Sequence, residues 1–222
     1  MNYKKEKDLQ VELTVRDLGV LSYSTNYIRR EVAVGECIPD VVIVGLPDNL
    51  GIISYPKKIT SRHIFILWLI KTSKQITPNG IAERSYQRIN KVNQIINDLI
   101  NSGTVIQNET GELRVQETIA SLQTEVVAIE AKLSNWSQAL EQAKRYQEFA
   151  DKVVVAMDAD RTPRRKEILE RFNEQNIGLC AVSPNALEWL VYPQYEYVES
   201  FEKEYLVTSA LFPSTHTLWE RR

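Results

Sequence analysis

An α/β fold, with a mixed central sheet flanked by helices and interrupted by a mainly helical insertion, is what this sequence of 222 residues predicts. Three observations carry the prediction. The second half alternates helix-period stretches (136–150 and 164–175) with short apolar runs (152–157 and 177–182), the rhythm of helices laid over strands. Runs such as Val153-Val154-Val155-Ala156 show no apolar/polar alternation, so these strands are expected in the middle of a sheet covered on both faces. Between 57 and 103 eight cations (Lys57, Lys58, Arg62, Lys71, Lys74, Arg84, Arg88 and Lys91) stand against Glu83 and Asp98, a local charge of +6 in a chain of net charge −2.

Taken in order, residues 18–28 read as a helix. Segments 30–34 and 38–44 read as strands joined around Gly35-Glu36-Cys37. Pro47-Asp48, followed by Asn49-Leu50-Gly51, reads as a turn. The basic block then opens with Ile64, Phe65, Leu67, Trp68 and Ile70 at helical spacing over 62–71, and Thr77-Pro78 has N-cap and first-turn chemistry. A longer helix is expected from near Ser85, since Ile89, Val92, Ile96, Leu99 and Ile100 recur at three- and four-residue steps; Ser102-Gly103 ends it. Residues 104–107 and 112–115 flank Asn108-Glu109-Thr110-Gly111, a hairpin signal. A third strand at 126–133 resumes the sheet, followed by the helices and strands of the second half. The implied division is 1–56 with 117–222 as one discontinuous domain and 57–116 as an insertion.

Composition narrows the chemistry. Hydrophobic residues make up 43%, enough for a real core, and the longest apolar run, 64–70, is too short to span a bilayer. The first residues carry no signal-peptide core, so a soluble, cytoplasmic protein with no membrane partner is expected. Cys37 and Cys180 form no Cys-x-x-Cys pair and read as free buried thiols, and His63 and His216 have no ligand spacing. That argues against zinc and leaves hard oxygen ligands, with Mg²⁺ or Mn²⁺, as the available metal chemistry.

The residues that carry such chemistry are few. Asp40, after Pro39, leads into Val41-Val42-Ile43-Val44; Glu130 and Lys132 lie two apart in a strand and therefore project to one face. Two carboxylates and a lysine on adjoining strands suit a metal-dependent phosphodiesterase. Glu-x-Lys occurs once in the chain, at Glu130-Ala131-Lys132. Taken singly, Asp40 is also an ordinary strand-entry residue and Glu130 with Lys132 an ordinary same-face ion pair.

Two resemblances extend this reading. The order helix, helix, helix, hairpin over 57–116 resembles a winged helix-turn-helix, in which the third helix enters the major groove. That resemblance implies duplex DNA as partner and Arg84, Gln87, Arg88, Lys91 and Gln94 as the contact residues. The remainder, with Pro39-Asp40, Glu130-Ala131-Lys132 and, on the following helix, Gln142 and Tyr146 as a Gln-x-x-x-Tyr element, resembles the PD-(D/E)xK nuclease superfamily (restriction endonuclease-like fold), specifically its RecB-like branch. The resemblance implies Asp40, Glu130 and the Ala131 carbonyl as ligands of Mg²⁺ or Mn²⁺, Lys132 as the group that orients water, and Gln142 and Tyr146 beside them. Glu31, with Glu12 behind it, is the upstream acid of that pattern. The long excursion between Asp40 and Glu130 departs from the superfamily's short turn. An inserted domain whose ends return together accommodates it.

The expected function is thus a metal-dependent DNA endonuclease, with a DNA-binding regulator or accessory protein on a nuclease-like scaffold as the alternative. Symmetric double-strand cutting would need two active sites, which a homodimer would supply. Arg161, Arg164, Arg165 and Lys166 form a second basic spot, readable as a backbone clamp or a solvated turn. The segment from Tyr192 on mixes aromatics with Glu196, Glu199, Glu202 and Glu204 and suits a closing helix or a dimer surface.

Overall fold

Six strands form one mixed sheet in the order β1-β2-β5-β6-β7-β8, where β1 is Thr25–Arg30, β2 Val41–Leu46, β5 Glu125–Lys132, β6 Lys152–Asp158, β7 Ile177–Ser183 and β8 Ala186–Val191. This computed structural model describes residues 3–47, 56–120 and 122–211. The described residues fall into two compact units, one within Met1–Leu46 and Thr124–Lys203, the other within Pro47–Gln123 and Glu204–Arg222. Asp48 of the expected turn, His216 and the tail beyond 211 lie outside the described residues. Among the described residues no helix is long and apolar enough to cross a membrane.

The α/β class holds in the first unit. β5, β6 and β7 run parallel, and β1, β2 and β8 pair antiparallel with their neighbours. The centre is buried on both faces, as the unbroken apolar runs of β2, β5 and β6 require. One face, with Val41, Ile43, Val127, Ile129, Ala131, Val154, Ala156, Cys180 and Val182, packs with Leu9 and Leu13 of α1 (Glu6–Val15). On the opposite face lies α6 (Trp136–Lys144), continued by a 3₁₀ turn at Arg145–Glu148; Phe172 of α7 (Lys166–Glu174) meets Trp136 with ring centroids 6.3 Å apart.

Several local expectations give way here. Residues 18–24 are not helical: Asp17 accepts from the Gly19 N–H at 2.8 Å, Gly19 has φ of 62°, and the chain turns before entering β1. That short polar turn overrides the helix-period reading. The strand expected at 30–34 ends at Arg30, because Glu31 has φ of 51°; beyond it only Val34 and Cys37 form an isolated bridge. Helix α1 and strand β8 have no counterpart in the sequence reading. The apolar residues Leu9, Val11, Leu13 and Val15 alternate at every second position, which masks the helix. Cys180 is buried and Cys37 only half-buried; both are free thiols.

A buried ion pair closes the sheet end opposite the carboxylates. Asp151 accepts from the backbone N–H of Val126 at 2.8 Å and of Val198 at 3.2 Å, and from Lys203 Nζ at 2.5 Å. The extended segment before α8 (Phe201–Leu211) is thereby held: Pro193 rests on Gly178, where any Cβ would come within 2.8 Å of Pro193 Cδ.

The second unit contains α2 (Ser61–Thr72), α3 (Pro78–Ser85), α4 (Ile89–Asn101), a hairpin of β3 (Val105–Gln107) with β4 (Leu113–Val115), and the short α5 (Glu117–Ala120). Thr77 caps α3 through its side chain, and Tyr86, with φ of 53°, ends it. Ile66, Ile70, Ile81, Val92, Ile96, Leu99, Val105 and Leu113 form its core. The Leu113 N–H donates to the Ile76 carbonyl at 2.9 Å, adding a third chain segment beside the hairpin.

Candidate active site

Antiparallel pairing of Val41 with Ile129 carries Asp40, one residue earlier, to the position opposite Glu130. Both sit toward the carboxyl end of β5, and cross-strand neighbours in such pairs approach within about 4.5–5.5 Å at Cβ. Period-two alternation puts Lys132 on the same face. Its Nζ lies 2.9 Å from Glu130 Oε1 and 3.7 Å from Glu6 Oε2. From the helical layer, Tyr146 donates its hydroxyl to Glu130 Oε2 at 2.5 Å. Asp40 Oδ2 accepts from the Ala131 N–H at 2.7 Å, and Oδ1 from Gln10 Nε2 at 2.6 Å.

The electrostatics follow from this crowding. Burial, then the neighbouring Glu130 charge, raises the Asp40 carboxyl to about 6, against the Ala131 N–H, Lys132 and Gln10, which favour the anion. Burial also works to lower the Lys132 ammonium, but its hydrogen bond and attraction to Glu130, with Glu6 and Asp40 behind, outweigh that and the net shift is upward. Tyr146 is raised by burial and by its bond to Glu130, so it stays a hydrogen-bond donor at neutral pH.

Asp40, Glu130, Ala131, Lys132 and Tyr146 therefore converge. Gln142, one helical turn before Tyr146, lies on the same side of α6, and its Oε1 is buried without a hydrogen-bond partner. Gln10 Oε1 is also buried and unpartnered, so acceptors outnumber donors around the pair. A hydrated divalent cation fits that imbalance, because Mg²⁺ takes only one or two carboxylates and keeps much of its water. Among the described residues no group of three or more His, Cys, Asp and Glu side chains is arranged to hold a metal ion. A site of this kind would rest on Asp40, Glu130 and backbone or water oxygen.

Sequence reasoning missed Gln10 and Glu6, both on α1. Glu31 is exposed where β1 ends, donating its N–H to the Asp40 carbonyl at 3.0 Å, while Glu12 binds Arg16.

The DNA-contact candidates do not share one helix. Arg84 closes α3 and donates to Ser73 Oγ at 2.9 Å; Gln87 and Arg88 belong to the α3–α4 turn; Lys91 and Gln94 alone lie on α4, both exposed. The expected start near Ser85 moves to Ile89 because Tyr86 adopts a left-handed conformation and Arg88 remains extended. At the second basic spot, Arg164 forms a two-pronged pair with Glu188 at 2.7 and 2.6 Å, and Lys166 lies 3.5 Å from Glu170. Those contacts favour the solvated-turn reading of the spot.

Fold and site together define an α/β chain whose mixed sheet carries a carboxylate pair, Glu130 buried and Asp40 half-buried, attended by a lysine and a tyrosine. Comparison with protein-family models, curated proteins and solved structures returns no match.

Proposed function

We propose that this chain is a Mg²⁺- or Mn²⁺-dependent DNA endonuclease of the PD-(D/E)xK kind, with its second unit acting as a winged-helix DNA-binding insertion. The observation that carries the reading is the placement of Asp40 opposite Glu130 with Lys132 on the same face. Like charges across a strand pair oppose folding, so a sheet retains them where they serve chemistry. The helix order of the second unit, its hairpin and the Leu113–Ile76 hydrogen bond support the winged-helix part. Unbridged thiols at Cys37 and Cys180 fit a reducing cytoplasm.

In this reading Asp40 and Glu130 hold the cation, which when bound offsets phosphate charge and makes hydroxide available near neutral pH. Lys132 binds the phosphate oxygens and orients the attacking water once substrate competes for its contact with Glu130. Tyr146 holds Glu130 Oε2 by hydrogen bond, and the Ala131 N–H holds Asp40 Oδ2, so both carboxylates are fixed in orientation. Lys91 and Gln94 on α4, with Arg84, Gln87 and Arg88 before it, supply the duplex contacts.

The test incubates wild type, Asp40→Ala and Lys132→Ala with supercoiled and linear DNA over a range of Mg²⁺ and Mn²⁺. Cutting by wild type alone supports the proposal. Binding without cutting at every metal concentration transfers the protein to the regulator class, with Glu130–Lys132 as a scaffold ion pair.

A further inference from the structure

Helix α1 buries one polar side chain in the layer formed by Leu9 and Leu13: Gln10, 7% exposed. A carboxamide there loses water on every side, so each of its polar atoms needs a partner. Its Nε2 has one, Asp40 Oδ1 at 2.6 Å. Its Oε1 has none. The amide orientation is fixed by chemistry, since turning it over would set Oε1 against the Asp40 carboxylate, acceptor against acceptor.

With the Ala131 N–H on Oδ2 at 2.7 Å, Gln10 completes a two-point grip in which each Asp40 oxygen has its own neutral donor. The one cation in the cluster, Lys132, lies on Glu130 instead. Asp40 is therefore oriented without its charge being cancelled, the condition under which a carboxylate keeps its attraction for a metal ion. Glutamate at position 10 would add a third negative charge, and leucine would leave Oδ1 bare. The unpartnered Oε1 lies within one carboxamide group of the same oxygen and gives water in the site an acceptor.

We infer that Gln10 is a positioning residue of the carboxylate site, holding Asp40 by its amide and offering Oε1 to water beside a divalent cation. The inference rests on the metal-site reading above, and partners of this kind typically alter metal affinity about 10–100-fold when removed.

Titration calorimetry with Mn²⁺ on intact wild type, Gln10→Met and Asp40→Asn separates the possibilities. Methionine keeps the volume and the packing on α1 and removes both polar atoms. The expected result is binding by wild type, none by Asp40→Asn, and affinity about 10–100-fold lower in a folded Gln10→Met. A side chain that serves packing alone would change the melting temperature and leave Mn²⁺ affinity at the wild-type value, which overturns the inference. Absence of binding by wild type overturns the metal site and Gln10's role together. Should Gln10→Met fail to fold, the wild-type Gln10 side-chain amide signals are followed by NMR during a Mg²⁺ titration. Movement at the midpoint seen for the Asp40 and Glu130 signals supports the inference, and immobility while those signals move overturns it.

Discussion

Asp40 faces Glu130 across the β2–β5 pair, one residue past the point where Val41 meets Ile129. The two carboxylates occupy a position where sheets ordinarily place opposite or neutral partners.

Burial of Asp40, and after it the Glu130 charge, makes stability depend on pH in an unusual direction. With its folded value raised from 3.8 to about 6, Asp40 binds a proton in the folded chain over a range where the unfolded chain does not. Stability from this group is therefore highest below the unfolded value, falls as pH rises from about 4 to 6, and stays reduced above that. Since the side chain is partly exposed, the loss at pH 7.5 is on the order of 1–2 kcal/mol after screening by solvent. Melting curves without divalent metal should show Asp40→Asn gaining about that much at pH 7.5 and little at pH 4. Equal gains at both values would contradict the assignment.

Tyr146→Phe removes a single oxygen, the donor to Glu130 Oε2. The expected cost is about 1–2 kcal/mol of stability, because a buried carboxylate oxygen loses its partner. Under the proposed function, cleavage of plasmid DNA should fall about 10–100-fold, as expected for a group that orients a metal ligand. Unchanged cleavage in a folded variant would remove Tyr146 from the site.

On α4, Lys91 and Gln94 make separable predictions. Under the proposed DNA-binding role, Lys91→Ala should weaken duplex binding about equally for all sequences and lower the slope of log affinity against log salt by about one. Gln94→Ala should leave the slope unchanged and alter sequence preference. Arg84→Ala mixes two effects, since it also breaks the bond to Ser73.

Lys203→Met strips the buried Asp151 of its ion-pair partner and leaves the backbone N–H groups of Val126 and Val198 as donors to the carboxylate. The expected destabilisation is about 3–5 kcal/mol, read from urea unfolding. Gly178→Ala should also lower the midpoint, because its methyl group would press on the Pro193 backbone at 3.0 Å.

The strands that build the site were legible because their signals are local: β5, β6 and β7 each hold a run of consecutive apolar residues, and Glu130 with Lys132 needs only alternation to share a face. Helix α1 was not, since its apolar residues alternate by two and Gln10 looks like any surface glutamine until Asp40 is set beside it. The same limit applied to 18–28, where the Asp17–Gly19 turn decides the path, and to β8, whose half-exposed residues lack a strong pattern. Spacing along α3 and α4 was readable, but the left-handed Tyr86 that separates them was not, so three of the five contact candidates fell off the helix they were expected to share.

Because β2 and β5 are hydrogen-bonded neighbours, the segment from Pro47 to Gln123 leaves and rejoins the sheet at strand ends only about 5 Å apart. A short hairpin turn would bridge that gap. The segment between Leu46 and Thr124 can accordingly be exchanged, or shortened to a turn, without disturbing the β2–β5 register that sets Asp40 opposite Glu130.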